Sequence, residues 1–217
     1  EELVNNGLSA GNPFTQNKLD NLVSILKAKY SESGFYNAKI IQNVSIDSQN
    51  RAGIELNISQ GDRVKIEKFT ITGANKFSED NLLRLFKIGE ADIAFLNYFT
   101  KKDLFTESEF RSGIDSMTNM YFDSGYLDFN ILNIESKLDE KKEFLSINIS
   151  VSEGIQYQLG KVSFSGEFGV INLNELTSAI SMNAGDIFNR NLIIKDIQTL
   201  TDMFADQGYA FVDINPM

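Results

Sequence analysis

The 217-residue chain has no cysteine, no histidine and no tryptophan. Without Cys there is neither a disulfide framework nor a cysteine nucleophile. Without His there is no imidazole base for a nucleophile-base triad, and the common zinc and iron ligand sets cannot be assembled. Absence of Cys is compatible with an oxidising compartment. Cationic residues are few: 20 Lys and Arg stand against 30 Asp and Glu, a net charge of −10. No basic stripe appears, which argues against nucleic acid or an anionic membrane surface as partner. Residues 1–217 contain no signal peptide and no apolar run long enough to form a transmembrane helix, a statement about this segment alone. Carboxylates remain. Acid-base work or calcium binding is possible in principle, yet no Asp-rich calcium loop is visible, and no metal or cofactor is expected.

What the chain does have is one pattern written three times. Counting back from Gly34, Gly125 and Gly208, position −20 is Phe14, Phe105 and Phe188, and position −15 is Leu19, Phe110 and Ile193. Position −11 is Val23, Ile114 and Ile197, position −8 is Leu26, Met117 and Leu200, and position −4 is Tyr30, Tyr121 and Phe204. An aromatic residue follows each glycine: Phe35, Tyr126 and Tyr209. The chain is therefore a tandem array of one small module. Steps of 4, 3 and 4 place the apolar positions on one stripe of an amphipathic helix. Thr15, Thr106 and Asn189 stand as N-caps, each preceded by the Phe, which can staple the residue at N4; Thr106 and Glu109 also suit a capping box. Each closing glycine falls where a left-handed C′ residue ends a helix.

Beyond each glycine the period drops to two. Tyr36, Ala38 and Ile40 share a face, as do Leu127, Phe129 and Ile131, and Ala210, Val212 and Ile214, which predicts a half-buried strand in every copy. Polar hairpin tips follow at 47–51 and 139–142, then second strands with Ile54, Leu56 and Ile58, or Ile147, Ile149 and Val151, facing inward. These end at Gln60-Gly61 and Glu153-Gly154. A further strand precedes Gly73 through Phe69 and Ile71, and another precedes Gly166 through Val162 and Phe164. Shorter helices are predicted over 79–86 and 174–181.

One module thus reads strand, helix, helix, strand, strand. The expected boundaries are 1–62, a module lacking its first strand; 63–155, a complete module; and 156–217, a module stopping in its second strand.

The Gly-Tyr after the long helix, the Glu-Gly at 153–154 and the Gly after the next first strand resemble the POTRA, or polypeptide-transport-associated, family. Residues 157–166, 185–209, the Phe-Ser-Glu-Asp-Asn-Leu run at 77–82 and the long insert before Phe105 are similar to the outer-membrane assembly branch of that family, over essentially the whole chain. Departures touch turn chemistry: Ala74 intervenes in the turn after Gly73, Gln60 replaces the Glu, and Glu167 follows Gly166. The resemblance implies an α+β fold with a small mixed three-stranded sheet covered on one face by two helices. It also implies a non-enzymatic, periplasmic scaffold whose longer protein carries a C-terminal β-barrel, the only contact with the membrane. Its partners would be unfolded outer-membrane proteins and accessory lipoproteins of the assembly machinery. Two other readings stand beside it: POTRA modules of a secretion transporter or cell-division scaffold, and a carboxylate-dependent hydrolase, which needs a pocket with two facing carboxylates.

A three-stranded sheet leaves two edges whose N–H and C=O groups can template an incoming strand. By the resemblance, one edge is the strand over 127–134, giving Leu127, Asp128, Phe129, Asn130, Ile131, Leu132, Asn133 and Ile134 as candidate partner-binding residues. Ile131 and Leu132 in succession fit either a bulge that switches the inward face or a partner surface. A second candidate is the insert at 91–102, with Phe95, Leu96, Tyr98 and Phe99. There Gly89 precedes Phe105 by 16 positions, whereas Gly185 precedes Phe188 by 3. Long apolar loops often carry function; the alternative is that these aromatics lie down over the helix pair or against the neighbouring module.

Overall fold

The computed structural model describes residues 2–87, 104–209 and 211–216. The insert at 91–102, with Phe95, Tyr98 and Phe99, lies outside the described residues, as does Ala210. The elements in chain order are α1 (Glu2–Asn5), α2 (Gln16–Glu32), β1 (Lys39–Ile46), β2 (Ala52–Ser59), β3 (Lys65–Thr72), α3 (Glu79–Leu83), α4 (Glu107–Asp123), β4 (Asn130–Leu138), β5 (Phe144–Ser152), α5 (Leu173–Ala179) and α6 (Arg190–Asp206). The chain forms two compact units, 1–71 with 79–114 and 134–149, and 72–78 with 115–133 and 150–217.

The three long helices α2, α4 and α6 each span 17 residues and end identically. Gly34, Gly125 and Gly208 have φ of 85°, 86° and 88°, a left-handed conformation that L side chains resist. The N–H after each glycine donates back to the carbonyl of the aromatic at −4: Phe35 to Tyr30 at 2.8 Å, Tyr126 to Tyr121 at 2.9 Å and Tyr209 to Phe204 at 3.2 Å. These are Schellman closures, and in each the two rings meet edge-on with centroids 6.2, 5.9 and 6.1 Å apart. The aromatic-Gly-aromatic signature is thus a helix stop with its own apolar clasp.

Helix starts are less uniform. Asn189 accepts from the Leu192 N–H at 2.9 Å, and Thr106 accepts from the Glu109 N–H at 3.4 Å while donating to its carboxylate at 2.9 Å. The Phe105 staple on Phe110 forms, with ring centroids 5.9 Å apart. Thr15 occupies the cap position in an extended conformation but makes no side-chain cap bond. The short α5 carries a full capping box, Asn172 with Glu175, that the pattern reading overlooked.

In the first unit, β1 and β2 pair antiparallel from Lys39↔Ser59 to Ile46↔Ala52. Leu19, Leu22 and Val23 of α2 are buried, as is Ile40 of β1. The other sheet has the order β3-β5-β4. Side-chain partners advance together along β3 and β5, Glu67 with Ser146 at 3.2 Å, Thr70 with Asn148 at 3.0 Å and Thr72 with Ser150 at 3.1 Å, so these strands run parallel. A tight turn, in which the Asp139 N–H donates to the Phe144 carbonyl at 3.0 Å, brings β5 back antiparallel to β4. The mixed three-stranded sheet is the expected one. Leu145, Ile147, Ile149 and Val151 of β5 alternate into the core.

Two strand expectations need correction. The strand after α4 starts at Asn130 and runs to Leu138, not over 127–134. Leu127 and Asp128 lie in a turn closed by the Phe129 N–H on the Tyr126 carbonyl at 3.2 Å, so the apolar alternation continues through residues that are not yet extended. In the third copy neither 162–164 nor the described residues of 210–214 form a ladder. Phe164, Val212 and Ile214 do face the cluster of Ile171, Leu176, Leu200 and Phe204, as the alternation predicts.

Candidate functional site

β4 lies at the edge of the β3-β5-β4 sheet. Its side chains are mostly exposed: Leu132 keeps 64% of its surface and Ile134 43%, while Ile131 is half-buried. Asn130 and Asn133 are exposed, and so are Leu127 and Asp128 in the preceding turn. Phe129 belongs to the core instead. Its ring stacks on the Tyr121 ring at 4.0 Å and 10° and is buried rather than presented along the edge. The apolar row presented along this edge is therefore Leu132 and Ile134, an offset of two along the strand, with Ile131 immediately before them on the other face.

The joints that flank the middle module share one backbone device. In the first unit the Val64 N–H donates to the Gly34 carbonyl at 2.8 Å, and the Phe105 N–H donates to the Val64 carbonyl at 3.2 Å. In the second unit the Tyr157 N–H donates to the Gly125 carbonyl at 2.8 Å, and the Phe188 N–H to the Tyr157 carbonyl at 3.0 Å. The glycine that stops one long helix is thus tied, through one residue of the next strand region, to the Phe that begins the next long helix. Side chains add to both joints. The Arg63 guanidinium lies over the Phe35 ring at 5.1 Å, and Arg190 over Phe122 at 5.6 Å. The residue three past each closing glycine grips forward: the Asn37 carboxamide donates to the Lys141 and Lys142 carbonyls at 2.8 and 3.2 Å, and Asp128 accepts from the Tyr157 hydroxyl at 2.8 Å. That bond to Asp128 raises the Tyr157 phenol above its usual range. In the third copy the same position is Phe211, 98% exposed. No spacing in the sequence announces these bonds, because most of their atoms are backbone.

One buried ionisable cluster stands apart. Glu153 is 8% exposed, and its Oε1 accepts from the Tyr121 hydroxyl and from the Lys76 N–H, each at 2.9 Å. Burial pushes its pKa up, but the Lys76 and Asn75 amides, the Tyr121 hydroxyl and the Asn75 side chain together outweigh that and hold it below its ordinary value. The Tyr121 phenol is driven far upward by burial and by Glu153. The cluster pins the turn after β3 to the end of β5 and brings Phe77 edge-on to Tyr121 at 4.9 Å.

A groove of about 430 Å³ lies beside the second joint, walled by Phe77, Tyr126, Ile187 and Leu192. It contains a single carboxylate, Asp123, whose oxygens already accept from the Asn191 backbone and side chain. Two facing carboxylates, the arrangement hydrolysis requires, do not line it. Among the described residues no group of three His, Cys, Asp or Glu side chains is placed to hold a metal ion, and no helix is long and apolar enough to cross a membrane.

The repeated helix stop, the mixed sheet and the matching joints are the features of one module used in series. The family POTRA, described as "Surface antigen variable number repeat", matches residues 1–61, 64–154 and 157–217. The chain belongs to the POTRA family. It is similar to an outer membrane protein assembly factor BamA of Neisseria meningitidis serogroup B, 28% identical over 209 residues, covering 96% of this chain and 26% of that protein. A BamA of Buchnera aphidicola subsp. Acyrthosiphon pisum is 26% identical over 207 residues, covering 95% of this chain and 32% of the relative. The chain therefore spans about a quarter to a third of the length of these curated relatives. Among solved structures, POTRA3-5 of Haemophilus influenzae BamA superposes with a TM-score of 0.50 at 16% identity, covering 94% of this chain and 75% of that one, a likeness of fold.

Proposed function

We propose that this POTRA array is a non-catalytic periplasmic scaffold of outer-membrane protein assembly, belonging to a longer protein that reaches the outer membrane through a C-terminal β-barrel. It receives unfolded outer-membrane β-barrel proteins and docks accessory lipoproteins, holding extended segments by strand addition along β4. The relatives named as assembly factors support the setting. The observation that carries the mode of binding is the position of β4 at the sheet edge with Leu132 and Ile134 exposed along it. Main-chain hydrogen bonds supply affinity at such an edge, and alternate side chains bias which residues fit.

A proline scan separates main-chain from side-chain recognition. Proline at an outward-bonding position removes a donor the incoming strand needs, yet is tolerable to an edge strand. Asn130→Pro, Leu132→Pro and Asn133→Pro, each checked by thermal melt, are expected to include a folded variant that loses capture of urea-diluted barrel precursors or accessory lipoproteins, while Asn130→Ala retains it. Wild-type capture by every folded proline variant would exclude edge pairing, and substitutions at Phe95, Tyr98 and Phe99 would then be the next to measure.

A further inference from the structure

Tyr157 is held at three points, all inside the second unit. Its N–H donates to the Gly125 carbonyl at 2.8 Å and its carbonyl accepts from the Phe188 N–H at 3.0 Å. Its hydroxyl donates to Asp128 Oδ2 at 2.8 Å. Val64 makes the first two bonds in the other joint, with Gly34 and Phe105, but has no side-chain donor for the third. Asp128 sits two residues before β4, in the turn closed by Phe129 on Tyr126 at 3.2 Å. On another side Asp128 abuts Gly154, where an added Cβ would lie 2.5 Å from the Asp128 Cβ. The Gln156 side chain donates to the Ser124 carbonyl at 2.9 Å, fixing the segment that carries Tyr157 against the end of α4.

We propose that Tyr157 is a positioning residue that latches the entry of the edge strand to the joint with the following module, so that the start of β4 is fully ordered only while that joint is made. The phenol is the link. Its backbone belongs to the joint and its hydroxyl reaches the turn from which β4 emerges. An edge whose first residues are already fixed loses less freedom when a strand adds to it, so joint and edge are coupled through one hydroxyl. Opening the joint frees the turn, and strand addition at β4 becomes weaker.

The test uses the whole chain. Tyr157→Phe keeps the ring and both backbone bonds and removes only the hydroxyl. Hydrogen exchange at the Phe129 amide, which closes the turn, is expected to quicken by roughly 3- to 10-fold, the loss of one net hydrogen bond. The Tyr126 amide, closed on Tyr121 within the helix stop, is expected to be unchanged. Asp128→Ala should reproduce the effect, and Asp128→Asn, which keeps an acceptor, should largely rescue it. Unchanged exchange at Phe129, or equal acceleration at Phe129 and Tyr126, overturns the latch. A second arm rests on the edge reading above: capture of a fluorescein-labelled ten-residue strand peptide from a membrane β-barrel should weaken a few-fold in Tyr157→Phe. Faster exchange with unchanged capture overturns the role of the latch in binding. If the proline variants show that β4 does not pair at all, the exchange arm still decides the latch by itself.

Discussion

The Tyr121 hydroxyl and the Glu153 carboxylate meet at 2.9 Å in the interior of the middle module, and the Lys76 N–H shares the same oxygen. Tyr121 is completely buried, and its ring stacks on Phe129 while Phe77 and Tyr126 approach edge-on. A carboxylate so placed could suggest catalysis. Its Oε1 instead accepts from a hydroxyl and a backbone amide, bonds that make it a structural tie between the turn after β3 and the end of β5.

This pair contributes to the response to pH. Glu153 titrates below its ordinary value of 4.5 in the folded chain, so its contribution to stability is present above that value and is lost as pH falls through the lowered one. Tyr121 titrates above its ordinary value of 10.0, so its contribution is complete below that value and is lost as pH rises beyond it. Urea midpoints measured across the acid range should fall more steeply for the wild type than for Glu153→Gln. Glu153→Ala, which strands the buried hydroxyl and amide, should cost about 2–4 kcal/mol at neutral pH, and Tyr121→Phe about 1–2 kcal/mol. Parallel acid profiles for wild type and Glu153→Gln would refute this account.

The three helix-closing glycines form an internal control. All have nearly the same positive φ, so an alanine at any of them incurs a similar backbone strain of about 1–2 kcal/mol. Their surroundings differ. A Cβ at Gly34 would lie 2.2 Å from the Phe105 carbonyl oxygen and one at Gly125 would lie 2.8 Å from the Tyr157 carbonyl oxygen, whereas Gly208 has nothing within 4 Å. Gly34→Ala and Gly125→Ala should therefore be more destabilising than Gly208→Ala by roughly 1–3 kcal/mol, because backbone must move to admit the methyl group. Equal losses in chemical denaturation of the three variants would mean that the joints yield freely.

The helix stops were legible in the sequence because their determinants are local: a left-handed residue, flanking aromatics and a stripe at fixed spacing all lie within about one helix. The sheet order followed from resemblance and alternation. What stayed hidden depends on atoms brought together from afar. Tyr121 and Glu153 are each visible, as a stripe residue and a strand end, but no periodicity says that their polar atoms meet. The joint bonds use carbonyls and amides that every residue possesses. Alternation at Leu127 and Phe129 gave the correct face for Phe129 and the wrong start for the strand, since a turn can carry an apolar pattern without being extended. In the third copy, Val212 and Ile214 turned inward on schedule, yet a ladder needs a partner strand that periodicity does not supply.

Phe110 tests how much the stapled aromatic cluster contributes. It occupies the stripe but is only half-buried, with Phe86, Phe105 and Phe69 at centroid distances of 5.7, 5.9 and 6.1 Å. Full burial would put Phe110→Ala at about 3–5 kcal/mol; partial exposure lowers the expectation to roughly 2–3 kcal/mol. Met117, on the same stripe and completely buried, should respond at least as strongly to Ala. A loss below about 1 kcal/mol for Phe110, a surface value, would show that the ring cluster contributes little.

Gly113 sets two rules of helix stability against each other. It lies in the interior of α4, where replacing Gly by Ala ordinarily gains about 1 kcal/mol through helix propensity. Here a Cβ would fall 2.1 Å from Cδ1 of Phe86, a ring that is itself buried and packed edge-on against Phe69 at 4.8 Å. The ring cannot withdraw into solvent without opening that contact, so the helix and Phe86 must separate or the ring must leave its rotamer, at about 1–3 kcal/mol. The packing penalty exceeds the propensity gain, and Gly113→Ala is expected to lower stability despite the better helix former. Phe86→Leu, which narrows the side chain facing the helix, should recover part of the loss when combined with Gly113→Ala, giving a favourable coupling in a double-mutant cycle. A stabilised Gly113→Ala, or strictly additive effects in the cycle, would show that the glycine is not there to admit the Phe86 ring.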